Sequence, residues 1–136
     1  MGALLISSCG RHFKLSVHSY RHNLRGEQVI LFLRNLLRIL PGEIVLVWDN
    51  HPMHKRRLVQ RFIESHPRLH VYHFPICAPE LNPAEFVWAQ ISAQTANFAP
   101  KDMSELSARV QASIAKIRNS PRRMQACLAG TRLSWI

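Results

Sequence analysis

Two short apolar runs, Ile44–Trp48 (IVLVW) and Leu69–Phe74 (LHVYHF), constrain the possible folds of this chain more than any other feature. Their length and their β-branched and aromatic residues mark strands, and the unbroken run of IVLVW is that of a strand covered on both faces. Between them, residues 53–65 carry apolar positions at helical spacing, with Leu58, Val59, Phe62 and Ile63 inward and Lys55, Arg56, Arg57 and Arg61 outward. Strand, helix and strand in succession predict an α/β layered sheet.

The flanking segments fit that class. Residues 3–7 (ALLIS) and the alternation of Phe13, Leu15 and Val17 with Lys14, Ser16 and His18 predict a hairpin, with turn chemistry at Ser8-Cys9-Gly10. From Gly26 to Leu40 the positions Val29, Ile30, Leu33, Leu36, Leu37 and Leu40 predict a helix, stopped by Pro41-Gly42. After a loop from Pro75 to Pro83, Asn82 reads as an N-cap and Pro83 as the first position of a further helix. Met103, Leu106, Val110, Ile114 and Ile117 step by three and four, predicting another helix, and residues 121–130 a last short one.

Charge narrows the partners. Eighteen Lys+Arg oppose eight Asp+Glu among 136 residues, a formal net charge of +10, and fourteen of the eighteen bases are Arg. Arginine forks two hydrogen bonds onto a phosphate, so a polyanion such as DNA or RNA is the expected partner. A basic surface serving only solubility is the plainer alternative. No membrane is expected, since no apolar run nears the roughly 20 residues of a span. Cys9, Cys77 and Cys127 are odd in number and lack a CxxC pair, which points to a reducing cytoplasm and no disulfide framework.

Two acids stand out by position. Asp49 ends the first buried run, and open α/β sheets place their sites at carboxyl strand ends. Glu85 falls in the first turn of the helix opened by Asn82-Pro83. Hard oxygen ligands of this kind suit Mg²⁺ and phosphodiester chemistry. Each also has a structural explanation: Asp49 as a turn-forming residue, Glu85 as an acid favoured at a helix N-terminus.

The wider pattern is more specific. Asp49-Asn50-His51-Pro52-Met53-His54, then Phe74-Pro75-Ile76-Cys77-Ala78-Pro79-Glu80-Leu81-Asn82-Pro83-Ala84-Glu85-Phe86-Val87-Trp88, resembles the signature of mariner-like DDE transposases of bacterial insertion sequences. The 35 residues between Asp49 and Glu85 are in keeping with that family's spacing. The resemblance implies a ribonuclease H-like fold, a bacterial cytoplasmic protein and metal-dependent DNA cleavage and joining. Asp49 would be the second and Glu85 the third catalytic carboxylate, both metal ligands, with Asn50, His54, Asn82 and Pro83 supporting the site. The implied cofactor is Mg²⁺ or Mn²⁺, two ions in the complete enzyme. The implied partner is DNA, transposon ends and target, with Lys55, Arg56, Arg57, Arg61, Arg118, Arg122 and Arg123 as contact candidates. Trp88 reads as a packing anchor, and the His51/His54 and His70/His73 pairs do not recommend zinc, lacking further ligands at suitable spacing.

The family's first carboxylate belongs to an opening strand ahead of the hairpin, and the only acids before Asp49 are Glu27 and Glu43, neither on a strand facing it. The expectation is therefore an incomplete ribonuclease H-like three-layer fold without its opening strand: a single catalytic-domain fragment over 1–136, with a core over 1–100 and a helical extension over 101–136. Such a fragment would be inactive alone, with a separate chain supplying the opening strand, or a second copy of the chain, as further partners. The competing functions are a non-catalytic basic nucleic-acid-binding protein and a regulator that docks on full-length transposase.

Overall fold

The computed structural model describes residues 2–6, 13–17 and 25–133, which divide into two compact units. One is built on residues 18–79, the other on residues 2–17 together with 80–136. The turn expected at Ser8-Cys9-Gly10 lies outside the described residues.

In the first unit, α1 (Gly26–Ile39) buries Val29, Phe32, Leu33 and Leu36, a stripe at the i, i+3, i+4, i+7 positions of one helical face. Phe32, not among the apolar positions read from the sequence, is buried, whereas Ile30 and Leu37 are only half-buried. The helix ends where Pro41 forbids its continuation: Leu40 is pushed to extended backbone and Gly42 adopts φ +73°. Arg68 closes this end, donating from Nε to the Gly42 carbonyl at 2.9 Å and from Nη2 to the carbonyls of Leu37 and Leu40. A cation on the last carbonyls of a helix both pairs them and offsets the negative end of its dipole.

Strands β3 (Ile44–Trp48) and β4 (Leu69–His73) pair in parallel, Ile44 opposite Leu69 and Trp48 opposite His73. The intervening segment is not one helix over 53–65. His51 accepts the Met53 N–H on its Nδ1 and starts a 3-10 turn, Pro52–Lys55, and α2 (Arg57–Glu64) begins only after an extended Arg56. Gln60 ties the two pieces together by donating to the His54 carbonyl at 2.9 Å. Val59 is fully buried, whereas Leu58, expected inward, is exposed, because the break at Arg56 turns the helical face that α1 covers. The strands also depart from expectation. Ile44, Trp48 and Leu69 are buried on one face, but Val45 is 66% and Tyr72 59% exposed on the other, so IVLVW is not covered on both sides.

In the second unit, β1 (Gly2–Ile6) and β2 (Phe13–Val17) form the expected antiparallel hairpin, Gly2 opposite Val17. Each of the three helices carries a side-chain N-cap. Asn82 accepts from Ala84 N–H ahead of α3 (Pro83–Thr95), Asp102 from Glu105 N–H ahead of α4 (Met103–Arg118), and Ser120 from Arg123 N–H ahead of α5 (Pro121–Gly130). Glu105 reaches back to the Lys101 N–H at 2.7 Å, and Pro83 and Pro121 occupy first-turn positions where no N–H is missed.

Leu15, Val87, Ile91, Ile114, Ile117, Met124 and Cys127 form the core of this unit, with Phe86, Trp88 and Val110 packed against it. Trp88 is thus the packing anchor its spacing suggested. Met103, expected inward, is 77% exposed, and burial of α4 begins further along, around Ser113 and Ile114. Residue 101, where the helical extension was expected to start, falls between α3 and α4, two helices that pack on each other. Among the described residues no helix is long and apolar enough to cross a membrane.

Candidate active site

Asp49 follows β3 directly, and the chain around it is tied at every turn. Asn50 donates from Nδ2 to the Phe74 carbonyl at 2.6 Å, and Phe74 N–H returns to the Trp48 carbonyl at 2.8 Å, so the ends of both strands are fastened together. The Asp49 side chain is 55% exposed, yet its Oδ1 is fully engaged. It accepts the His51 N–H at 3.0 Å and lies 3.0 Å from His54 Nδ1. Among the described residues Oδ2 takes no hydrogen bond, which leaves one carboxylate oxygen available to a cation.

His54 is buried at the end of the 3-10 turn, and its Nδ1 also stands 3.2 Å from the Asp49 carbonyl oxygen. Two acceptors flank that nitrogen, so it carries the proton. Burial lowers the pKa of His54 below its ordinary value of 6.5, against smaller raising effects of the Asp49 carbonyl and carboxylate. The imidazole lies flat on the Trp48 indole, ring centres 4.0 Å apart and planes 5° from parallel. Trp48 Nε1–H in turn donates to His73 Nε2 at 3.0 Å. Sequence reasoning missed Trp48 and His73 as neighbours of the site. The sequence run extended to Phe74, and only the structure makes Trp48 and His73 the last residues of their strands, opposite each other in the parallel register.

Glu85 sits in the first turn of α3, where Asn82 and Pro83 set the helix start; its N–H bonds the Asn82 carbonyl at 3.0 Å. Its exposed carboxylate has no hydrogen bond or ion pair among the described residues. Asp49 belongs to the first unit and Glu85 to the second. Among the described residues no three His, Cys, Asp or Glu side chains gather into a ready metal cluster. Glu43 is spent elsewhere, paired with His70 at 2.6 Å, and stands at the opposite end of β3 from Asp49, roughly 20 Å away at strand spacing. His70 and His73 accordingly serve different partners.

The basic candidates are placed unevenly. Lys55, Arg56, Arg57 and Arg61 are exposed around α2, and Arg122 and Arg123 at the start of α5. Arg118 spends its Nε–H on the Leu15 carbonyl at 3.1 Å, which makes it a structural tie to β2. A further groove of about 360 Å³ in the first unit is lined by Arg34, Arg38, His66 and Arg68 and by no carboxylate.

The sequence matches the DDE superfamily endonuclease family over residues 3–107. The structure is similar to a crystal structure of the catalytic domain of Mos1 mariner transposase: TM-score 0.55 and 17% identity, over 92% of this chain and 70% of that one. It is also similar to the Mos1 catalytic domain determined with raltegravir and Mg, with TM-score 0.56 and 16% identity over 100% of this chain and 83% of that chain. A Mos1 paired-end complex with Mn matches at TM-score 0.55 and 18% identity, over 92% of this chain and 41% of that chain. No curated protein matches significantly. Identities this low speak for the fold: the mixed strand and helix arrangement is that of a ribonuclease H-like transposase catalytic domain.

Proposed function

The chain belongs to the DDE superfamily of endonucleases, and from that premise we propose that Asp49 and Glu85 hold divalent metal for cleavage and joining of DNA by a mariner-like transposase. The observation that carries this reading is the state of Asp49: at a strand end, with Oδ1 locked by His51 and His54 and Oδ2 left open. Glu85, exposed in the first turn of α3, is likewise uncommitted. Carboxylate oxygens are the donors that Mg²⁺ and Mn²⁺ favour, so the residues present fit the ion. When bound, such ions activate the attacking oxygen and stabilise the leaving oxygen of a phosphodiester, two ions in the complete enzyme. The chain's own part is to present Asp49 Oδ2 in a fixed direction and to place Glu85 through the Asn82-Pro83 helix start.

DNA is the proposed partner, both transposon ends and target, as the Mos1 paired-end complex suggests for this fold. The arginines around α2, those opening α5, and Arg34 and Arg38 beside the groove supply contacts to phosphate. The bacterial cytoplasm, which keeps thiols such as Cys77 and Cys127 reduced, is the proposed compartment.

We read the chain as inactive by itself, because Glu43, an acid ahead of Asp49, is paired with His70 at the far end of β3 and is not placed to share a metal with Asp49. Under this reading a partner polypeptide supplies the first carboxylate on an opening strand. The test is cleavage of labelled transposon-end DNA with Mg²⁺ or Mn²⁺. The chain alone should neither nick nor join; with an added polypeptide carrying that strand and its Asp, cleavage should appear and vanish again in Asp49→Asn or Glu85→Gln. Robust cleavage by the chain alone, lost in Glu85→Ala, contradicts the inactivity. A second reading, a non-catalytic DNA-binding protein or regulator of complete transposase, draws on the excess of eighteen Lys+Arg over eight Asp+Glu and predicts binding without cleavage under every one of these conditions.

A further inference from the structure

The Asp49 carboxylate is exposed, and an exposed carboxylate ordinarily samples several orientations. What limits it here is a chain of three rings, of which Trp48 and His73 lie outside the motif residues. We propose that Trp48 and His73 are positioning residues for Asp49: His73 fixes the indole, the indole face fixes the His54 imidazole, and His54 fixes Oδ1. The proposal rests on the reading of Asp49 as a metal ligand and adds to it the device that aims the free oxygen.

Each contact has a specific geometry. Trp48 is buried, and a buried indole N–H left without a partner is costly. His73 Nε2 accepts it at 3.0 Å, which sets the rotation of the indole about its own side-chain bonds. The flat indole then meets the imidazole at 4.0 Å and 5°, a geometry that holds the ring plane of His54. Within that plane Nδ1 is directed between Asp49 Oδ1 at 3.0 Å and the Asp49 carbonyl at 3.2 Å. A ring turned over by half a rotation would offer a C–H to both acceptors and release the carboxylate. A purely structural Trp48 needs only its apolar bulk, which leucine or phenylalanine would supply; the N–H bond to His73 and the near-parallel stack are what bulk does not explain. Outer ligand-orienting contacts of this sort are worth on the order of 10-fold in metal affinity.

The test uses the whole chain, labelled with ¹⁵N, at one fixed neutral pH. Three signals are read: the Trp48 indole N–H, the pair of His54 ring nitrogens, and the broadening of the Asp49 and Asn50 amides as Mn²⁺ is added. His73→Leu removes the acceptor, His73→Gln returns one at similar reach, and Trp48→Phe keeps a stacked ring but deletes the donor. The expected result is a native amide spectrum in all three. His73→Leu and Trp48→Phe should lose the His54 signature of a proton confined to Nδ1 and need about 10-fold more Mn²⁺ for equal broadening at Asp49. His73→Gln should stay near the parent chain in both signals. If His73→Leu does not fold, Trp48→Phe against the parent carries the same comparison. Parent-like broadening and His54 signals in folded His73→Leu or Trp48→Phe overturn the positioning role, as does a His73→Gln that behaves like His73→Leu. An absence of Mn²⁺ broadening at Asp49 in the parent chain is a different result, which overturns the metal-ligand reading and the positioning role with it.

Discussion

Asp49 and His54 are joined by a 3.0 Å contact between Oδ1 and Nδ1, and the second carboxylate oxygen faces no protein donor among the described residues. The pair sets the expected pH response of the first unit. Burial holds the folded His54 pKa below the ordinary 6.5, so the unfolded chain takes up the proton first as pH falls. The stability tied to the neutral imidazole is therefore present above about 6.5 and lost as pH drops toward the folded value. Urea unfolding should show the midpoint of the first unit falling between pH 7.5 and 5.5, and His54→Gln should flatten that slope. An unchanged slope in His54→Gln would remove His54 from the account.

Gly130, near the end of α5, lies directly against the Phe86 ring of α3. A Cβ built there would lie 2.5 Å from Phe86 Cε1 and 2.6 Å from Cδ1, well inside van der Waals contact. Gly130→Ala should thus destabilise, by about 1–3 kcal/mol as overpacking typically does, despite alanine's better helix propensity. Combining it with Phe86→Leu should recover part of the loss, which denaturant midpoints of the two variants would measure.

Most of the elements were legible in the sequence because their periodicities and caps are local. Asn82-Pro83 marks a helix start by chemistry that operates within three residues. What was not legible depends on what packs against what. The apolar run IVLVW could not disclose that Val45 faces solvent, because exposure is decided by what covers a sheet face and not by the strand. The break at Arg56 escaped because His51 caps the preceding turn with a ring nitrogen, an unusual cap. Asp49 and Glu85 were singled out as candidates by position and by a motif, whereas Trp48 and His73 required the register of β3 on β4.

Binding to DNA should separate the two kinds of arginine. Affinity should fall steeply with salt, and Arg56→Ala, Arg57→Ala and Arg61→Ala should each lower the log–log salt slope by about 0.9 for every phosphate that the arginine neutralises. Arg118→Ala should act mainly on stability, by about 0.5–1.5 kcal/mol, because its Nε–H is committed to the Leu15 carbonyl. Fluorescence anisotropy across a salt series, with thermal melts of the same variants, checks both. A flat salt dependence would contradict the phosphate-binding role of these side chains.

The central claim, that Asp49 and Glu85 are divalent-metal ligands, is tested most directly by the fraction of Mn²⁺ bound to the chain, read from the loss of the free-ion electron paramagnetic resonance signal. The parent chain should bind Mn²⁺ weakly, since two carboxylates leave much of an ion's coordination shell to water, and Asp49→Asn and Glu85→Gln should each reduce that binding further. Mg²⁺ should compete for the same sites. Mn²⁺ binding that is equal in the parent chain, Asp49→Asn, Glu85→Gln and the double variant would contradict the claim outright.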